Sequence, residues 1–262
     1  MNTVSNSNTE EIKAINKTRM KAKLFFYDYQ LKKGDVKAGD TVLILCGGTG
    51  LEINKLSKIV GNNGRVIVVD YSEEMVHLMK LLVRKMALSN VELFQMDVTN
   101  LNFSKGSFDH IFCNFSMQYF SNQESLINNW SELLKNGGTI NILEWLKPTP
   151  DIIFTNIQKL ISGHVPEIND KKENIINTSN LKVKLILEEE IAYPIEYSTT
   201  KSFIDNFSVN PNFQPLLTRI SPKNREKILT EVQELILKHT QGNYLKPFTE
   251  YSRTRLRLYK NL

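Results

Sequence analysis

Residues Val42–Val60 read VLILCGGTGLEINKLSKIV. Four apolar residues run into a glycine-rich turn, and a helix begins beyond it. Gly48 and Gly50 let a ligand come close to the backbone, because a Cβ would block the approach or the backbone angle it needs. A phosphate-binding P-loop is excluded, since no Lys-Ser or Lys-Thr pair follows Gly50. A dinucleotide fingerprint needs a third glycine where Ile53 stands, which weakens that reading without removing it. S-adenosylmethionine is the third possibility. It has no pyrophosphate, so the turn need only admit its ribose and amino-acid parts.

Outward from this unit, strands and helices alternate. Residues 1–9 are polar and expected to be disordered. Glu10 to about Lys33 predicts a helix, with Ile12, Ile15, Met20, Leu24 and Tyr27 on one face. Strand 41–46 and helix 51–60 are followed by strand 65–70 (RVIVVD) and helix 72–88. Ser72 opens that helix, with Glu73 and Glu74 in its first turn, where carboxylates complement the helix dipole. Strands 91–95 and 108–114, helix 122–135 and strand 139–145 continue the pattern. Such alternation predicts an α/β fold: a doubly wound, Rossmann-like, mainly parallel seven-stranded sheet with helices on both faces.

Beyond Pro148 the expected elements are helix 150–162, a polar loop 163–181, strand 183–192, helices 200–208 and 222–239, and strand 252–259. Three parts are therefore expected: an N-terminal helical lid segment (1–35), a ligand-binding core (36–148) and a C-terminal part (149–262). The last completes the sheet and carries a helical substrate cap at about 194–248.

The 262 residues are 41% hydrophobic and 23% charged, ordinary for a soluble protein, with a net charge of +5. No dense basic run is present, so no nucleic-acid partner is expected. The N-terminal text lacks a signal-peptide pattern, and no apolar run has the ~18 residues of a membrane span. Cys46 and Cys113, in apolar strand-like runs, read as buried free thiols of a reducing, cytoplasmic compartment. No metal is expected, and the oligomeric state is not legible.

Three successive strands end in, or just before, a polar residue. Asp70 closes RVIVVD, 20 residues after Gly50, in place to take ribose hydroxyls. Asp97 follows the next strand, where it can accept adenine amino hydrogens while the Val98 N–H meets a ring nitrogen. Asn114 reaches the same edge, beside the switch point where open α/β sheets bind ligands. This favours S-adenosylmethionine, with S-adenosylhomocysteine as product.

On these motifs the chain resembles the class I S-adenosylmethionine-dependent methyltransferases. VLILCGGTG is similar to their first motif, VIVVDYSEEMV to the ribose-acid motif and FQMDVTNLNF to the adenine motif. SFDHIFCNFSMQYF and LLKNGGTINILEWLKP resemble their fourth and fifth strands. The nearest pattern is that of the ubiquinone/menaquinone C-methyltransferases. The resemblance implies a cofactor set of Gly47, Gly48, Thr49, Gly50, Asp70, Tyr71, Asp97, Val98, Asn114 and Phe115. In two places the chain departs from the family: Ile44 replaces an acid that organises the turn and the methionine ammonium, and Cys46 replaces the first glycine. SMQYF stands where those enzymes read Gly-Leu-Arg-Asn. The C-terminal third is instead similar in arrangement to carboxylate methyltransferases of the trans-aconitate and juvenile-hormone-acid type.

The expected acceptor is a small molecule, a carboxylate or a phenolic or quinone-like ring, methylated on oxygen or carbon. A carboxylate needs no base, whereas a phenol or carbon acid does. His164, Glu144 and Tyr27 are the candidates for a catalytic role, and Tyr27 also for a lid. Tyr119, Trp145, Phe203 and Tyr244 are candidate pocket aromatics, and Arg219 a candidate clamp for an acidic substrate. His110 reads as structural, and Arg253, Arg255 and Arg257 as a solvated strand face. The competing functions are a cofactor-binding relative without methyl transfer and an RNA or protein methyltransferase. Against the latter, Asn114-Phe115-Ser116-Met117 lacks the Asn-Pro-Pro-aromatic signature.

Overall fold

Every strand of the α/β pattern is present in the computed structural model, which describes residues 20–146, 153–163, 176–205, 207, 217–218, 220–245 and 248–262. A helix α1 covers residues 20–34. It is followed by β1 (Thr41–Leu45), α2 (Ile53–Val60), β2 (Arg65–Asp70), α3 (Glu73–Lys85) and β3 (Val91–Gln95). Then come β4 (Phe108–Asn114), α4 (Gln123–Ser131), β5 (Leu134–Trp145) and α5 (Ile153–Ser162). The chain closes with β6 (Lys184–Tyr197), α6 (Thr200–Asp205), α7 (Pro222–His239) and β7 (Phe248–Lys260).

The strands form one seven-stranded sheet in the order β3-β2-β1-β4-β5-β7-β6. Pairing is parallel from β3 to β5, while β7 runs antiparallel to β5. The register aligns the carboxyl ends: Leu45 faces Val69 and Cys113, Asp70 faces Gln95, and Asn114 faces Leu143. One edge of the sheet therefore presents five neighbouring strand tips.

Local chemistry explains the helix starts. The Ser72 hydroxyl accepts the Met75 N–H at 3.3 Å and caps α3, whose first turn holds Glu73 and Glu74 and whose last holds Arg84 and Lys85. Ser221 caps α7 through the Asn224 N–H, with Pro222 at a first-turn position that needs no donor. Val42–Leu45 and Val66–Val69 are buried on both faces, as strands of a covered parallel sheet must be. One face packs Leu43, Leu45, Ile111 and Ile142 against Trp130 of α4; the other packs Val42, Ile44 and Val68 against Ile53, Leu56 and Met79 of α2 and α3.

Some boundaries differ from the sequence reading. β5 begins at Leu134, because Leu134 pairs with Phe108 before an irregularity at Phe108/His110. β6 runs to Tyr197 and β7 starts at Phe248, so residues 198–247 lie between these two strands. Residues 178–180 of the expected polar loop form a 3-10 turn capped by Asn177.

The chain divides into two compact units. One comprises Leu24–Leu146, Asn174–Ile191 and Thr254–Leu262, and it carries the strand tips. The described parts of Lys147–Glu173 and Ala192–Arg253 belong to the other, in which Ile157, Ile161, Phe203, Ile228, Val232 and Ile236 form a separate core. No helix among the described residues is long and apolar enough to cross a membrane.

Candidate functional site

The glycine turn joins β1 to α2, and its glycines differ in what they do. A Cβ on Gly47 would meet Val68 Cγ1 at 2.4 Å and Met79 Sδ at 3.0 Å, so this glycine lets the turn press against β2 and α3. Gly48 has φ +53°, and a Cβ there would meet only the Cys46 carbonyl at 4.0 Å. The space on that side of its backbone is therefore open, while its N–H is taken up by Asp70. Cys46, where the resembled family has glycine, also takes a left-handed conformation, at φ +55°. Thr49 is exposed at the crest of the turn.

Asp70, at the end of β2, locks the turn from the next strand. Its Oδ2 accepts the Gly48 N–H at 2.8 Å and its Oδ1 accepts the Ser72 N–H at 2.9 Å. Ser72, not Asp70, is the helix cap. Beside it a cleft of about 530 Å³ is lined by Tyr71, Ser72, Glu73, Gln95, Met96 and Asp97. Asp97 is exposed, its carboxylate oriented by the Thr99 N–H at 2.8 Å. Val98 is buried, and its carbonyl takes the Trp130 indole N–H at 2.9 Å, which fixes the segment after β3. A turn with open space beside its backbone, an acid one strand over and a cleft ending in a second acid suit a nucleoside lying across the tips.

Asn114 sits on the opposite side of the turn from Asp70. Its Oδ1 accepts Gln30 Nε2 at 2.7 Å, and its Nδ2 donates to Glu52 Oε1 at 3.3 Å. All three side chains are buried. The sequence reading did not single out Gln30 or Glu52. The signal available for Glu52 was an acid two residues past the last turn glycine, in a chain whose β1 has none.

Next to Asn114, four aromatic rings gather from α1 and the tips of β4 and β5. Phe115 and Trp145 stack at 4.0 Å with planes 18° apart. Phe26 meets both edge-on, at 6.4 and 6.1 Å, and the Tyr27 ring lies 5.8 Å from Phe115. Burial, and then the Glu52 charge, pushes the Tyr27 phenol well above its usual range, so it stays protonated. Tyr119 is 78% exposed. Phe203 and Tyr244 belong to the other unit: Phe203 is packed in its core against Tyr197, and the Tyr244 hydroxyl accepts Gln233 Nε2 at 3.0 Å. His164 and Arg219 lie outside the described residues.

Glu144 is engaged in the sheet. Arg257 Nη1 donates to Glu144 Oε2, and Arg257 Nε to Glu188 Oε2 at 2.5 Å. Burial raises the Glu144 carboxyl above its usual range, and the guanidinium only partly offsets this. The expectation of a solvated arginine face fails here: Arg257 is only 6% exposed, and Arg255 is half-buried beside Glu190. Flanking β5 and β6 supply the carboxylates that allow this burial.

His110 lies far back on β4, buried, between Thr139 Oγ1 at 2.8 Å and Asp40 Oδ2 at 3.1 Å. Both cysteines are free thiols at the tips of β1 and β4. A hydrogen bond with Cys46, and then burial, raise Cys113 well above its usual range, and the same bond lowers Cys46.

A profile of the ubiE/COQ5 methyltransferase family matches residues 16–172. The chain is 34% identical over 114 residues to the ubiquinone/menaquinone biosynthesis C-methyltransferase UbiE of Klebsiella pneumoniae, covering 43% of this chain and 45% of that one. With the demethylmenaquinone methyltransferase of Lactobacillus johnsonii it shares 31% over 168 residues, 59% of this chain and 69% of the other. The chain thus spans about half the length of curated relatives of the first kind. Among solved structures, the geranyl diphosphate C-methyltransferase of Streptomyces coelicolor A3(2) superposes with a TM-score of 0.54 at 13% identity, over 90% of this chain and 75% of that one. Coclaurine N-methyltransferase gives 0.52 at 15%, over 91% and 72%. At these identities the likeness is one of fold.

Proposed function

Because the chain belongs to the ubiE/COQ5 methyltransferase family, we propose that it binds S-adenosylmethionine across the tips of β3, β2 and β1 and methylates a small, flat, phenolic or quinone-like acceptor. The observation that carries the cofactor assignment is the pair Asp70 and Asp97 at and just past adjoining strand tips, with Asp97 and the Tyr71 and Ser72 that follow Asp70 lining one cleft. In this reading Asp70 receives the ribose hydroxyls with its remaining acceptor positions, and Asp97 with the Val98 N–H holds the adenine edge.

The bound cofactor supplies a sulfonium methyl group for in-line displacement. What the protein contributes is position, since a reacting pair held near attack distance loses most of its entropic barrier. Phe26, Tyr27, Phe115 and Trp145 form an apolar wall that would align a flat ring and exclude water. The phenol of Tyr27, held protonated, can donate a hydrogen bond but cannot serve as a base near neutral pH. The family relatives include enzymes named for ubiquinone and menaquinone biosynthesis, which supports a ring acceptor over a simple carboxylate. Two free thiols fit a reducing, cytoplasmic setting.

Titration calorimetry with S-adenosylhomocysteine tests the cofactor site: Asp97→Asn and Asp70→Asn each weaken binding about tenfold or more. Unchanged affinity in the double variant overturns the assignment. Mass spectrometry of acceptor panels tests the substrate: a 14 Da gain on phenolic rings is expected, and a gain confined to aliphatic carboxylates would replace the ring by an acid.

A further inference from the structure

Glu52 is a buried carboxylate at the mouth of the glycine turn, 6% exposed and two residues past Gly50. Taking a carboxylate out of water costs several kcal/mol unless fixed partners or an opposite charge compensate. Its Oε1 accepts the Asn114 amide, which Gln30 fixes in turn, so α1, the start of α2 and the tip of β4 all hold this one acid in place. Such a chain determines which way Asn114 presents its amide, and hence where the Glu52 charge sits.

The position relative to the cleft matters. From the β3 tip to the β4 tip the sheet advances three strands, roughly 14 Å at ~4.8 Å per step. A nucleoside gripped at Asp97 and Asp70 has its 5′ arm left to cross the Gly48 backbone in the direction of Asn114 and Glu52. In S-adenosylmethionine that arm ends in an α-ammonium group. β1 offers it no charge, because Ile44 is fully buried in the apolar layer against α2 and α3.

Resting on the cofactor reading above, we propose that Glu52 is the counter-charge for the α-ammonium of the methionyl arm, oriented by Asn114 and Gln30. In that reading the acid that serves this turn stands at the N-cap of the helix that leaves it, and the strand that enters it carries none. A charged hydrogen bond of this kind contributes enough to change affinity about ten- to a hundredfold.

The test uses the full chain and two probes. S-adenosylhomocysteine carries the ammonium, and 5′-methylthioadenosine lacks the whole amino-acid arm. Glu52→Gln is expected to weaken the first about ten- to a hundredfold and the second less than twofold, while Asp70→Asn weakens both. Equal loss for both probes would make Glu52 a structural group, and no loss for either would free it of any role; each overturns the proposal. Should Glu52→Gln not fold, a deaminated S-adenosylhomocysteine analogue replaces the mutation. The wild-type chain must then bind it at least tenfold more weakly than the parent, and equal binding overturns the proposal. A wild-type chain that binds neither probe overturns the cofactor reading itself, a distinct result.

Discussion

The Gly48 N–H donates to Asp70 Oδ2 at 2.8 Å, joining the turn after β1 to the end of β2. The carboxylate proposed to receive a ribose is thus also the group that shapes the turn. Asp70→Ala removes the acceptors of both Gly48 and Ser72, each a charge-assisted bond. A loss of about 2–3 kcal/mol is expected, read as a lowered urea midpoint. Asp70→Asn keeps one acceptor oxygen and should cost about half as much.

Gly47 is a packing glycine. Gly47→Ala pushes a methyl into Val68 Cγ1 and Met79 Sδ and should cost about 1–3 kcal/mol. Adding Val68→Ala makes room, so the double variant should lose less than the two single losses combined. Strict additivity in a double-mutant cycle would mean that the turn and β2 do not press on one another.

His110 gives a pH dependence of calculable sign. Burial lowers its pKa from 6.5, outweighing the attraction of Asp40. The folded chain therefore keeps the ring neutral where the unfolded chain already binds a proton. Stability from this group is complete above about pH 7.5 and falls as pH drops through 6.5 toward the lower folded value. Thr139 Oγ1 donates to Nδ1 in that neutral form, and Nε2 donates to Asp40. Urea midpoints at pH 5.5 and 7.5 should differ in the wild type and differ less in His110→Gln.

Cys46 occupies a left-handed conformation that costs a non-glycine residue about 1–2 kcal/mol. Cys46→Gly relieves it, loses the thiol contact with Cys113, and should stay within about 1 kcal/mol of wild type. Cys46→Val places a β-branched side chain there and should lose about 2 kcal/mol or more. Thiol labelling of the native protein should modify half-exposed Cys46 well before Cys113, which is fully buried. Simultaneous labelling would contradict the packing of the β4 tip.

Much of the framework was legible in the sequence because the signals are local. The β-rich runs of Val and Ile, the serine and acids that open α3, and the glycines of the turn act within a few residues of themselves. Asp70 and Asp97 could be placed at strand tips for the same reason: each follows an apolar run by counting. Arg257 could not be placed that way. Its neighbours in sequence suggest solvent, but Glu144 and Glu188, distant along the chain, surround it with acceptors.

The sequence alone determined the α/β class, the turn and the acids beside it, since periodicity and turn chemistry are properties of short segments. Only the tertiary structure decided that Asp70 holds the turn, that Phe115 stacks on Trp145, and that Gln30, Asn114 and Glu52 form one buried chain. These groups are separated by 22 to 84 residues and meet only because the strand order sets β2, β1, β4 and β5 side by side. A buried polar group takes whatever partner that arrangement brings within reach, and no spacing along the chain records it.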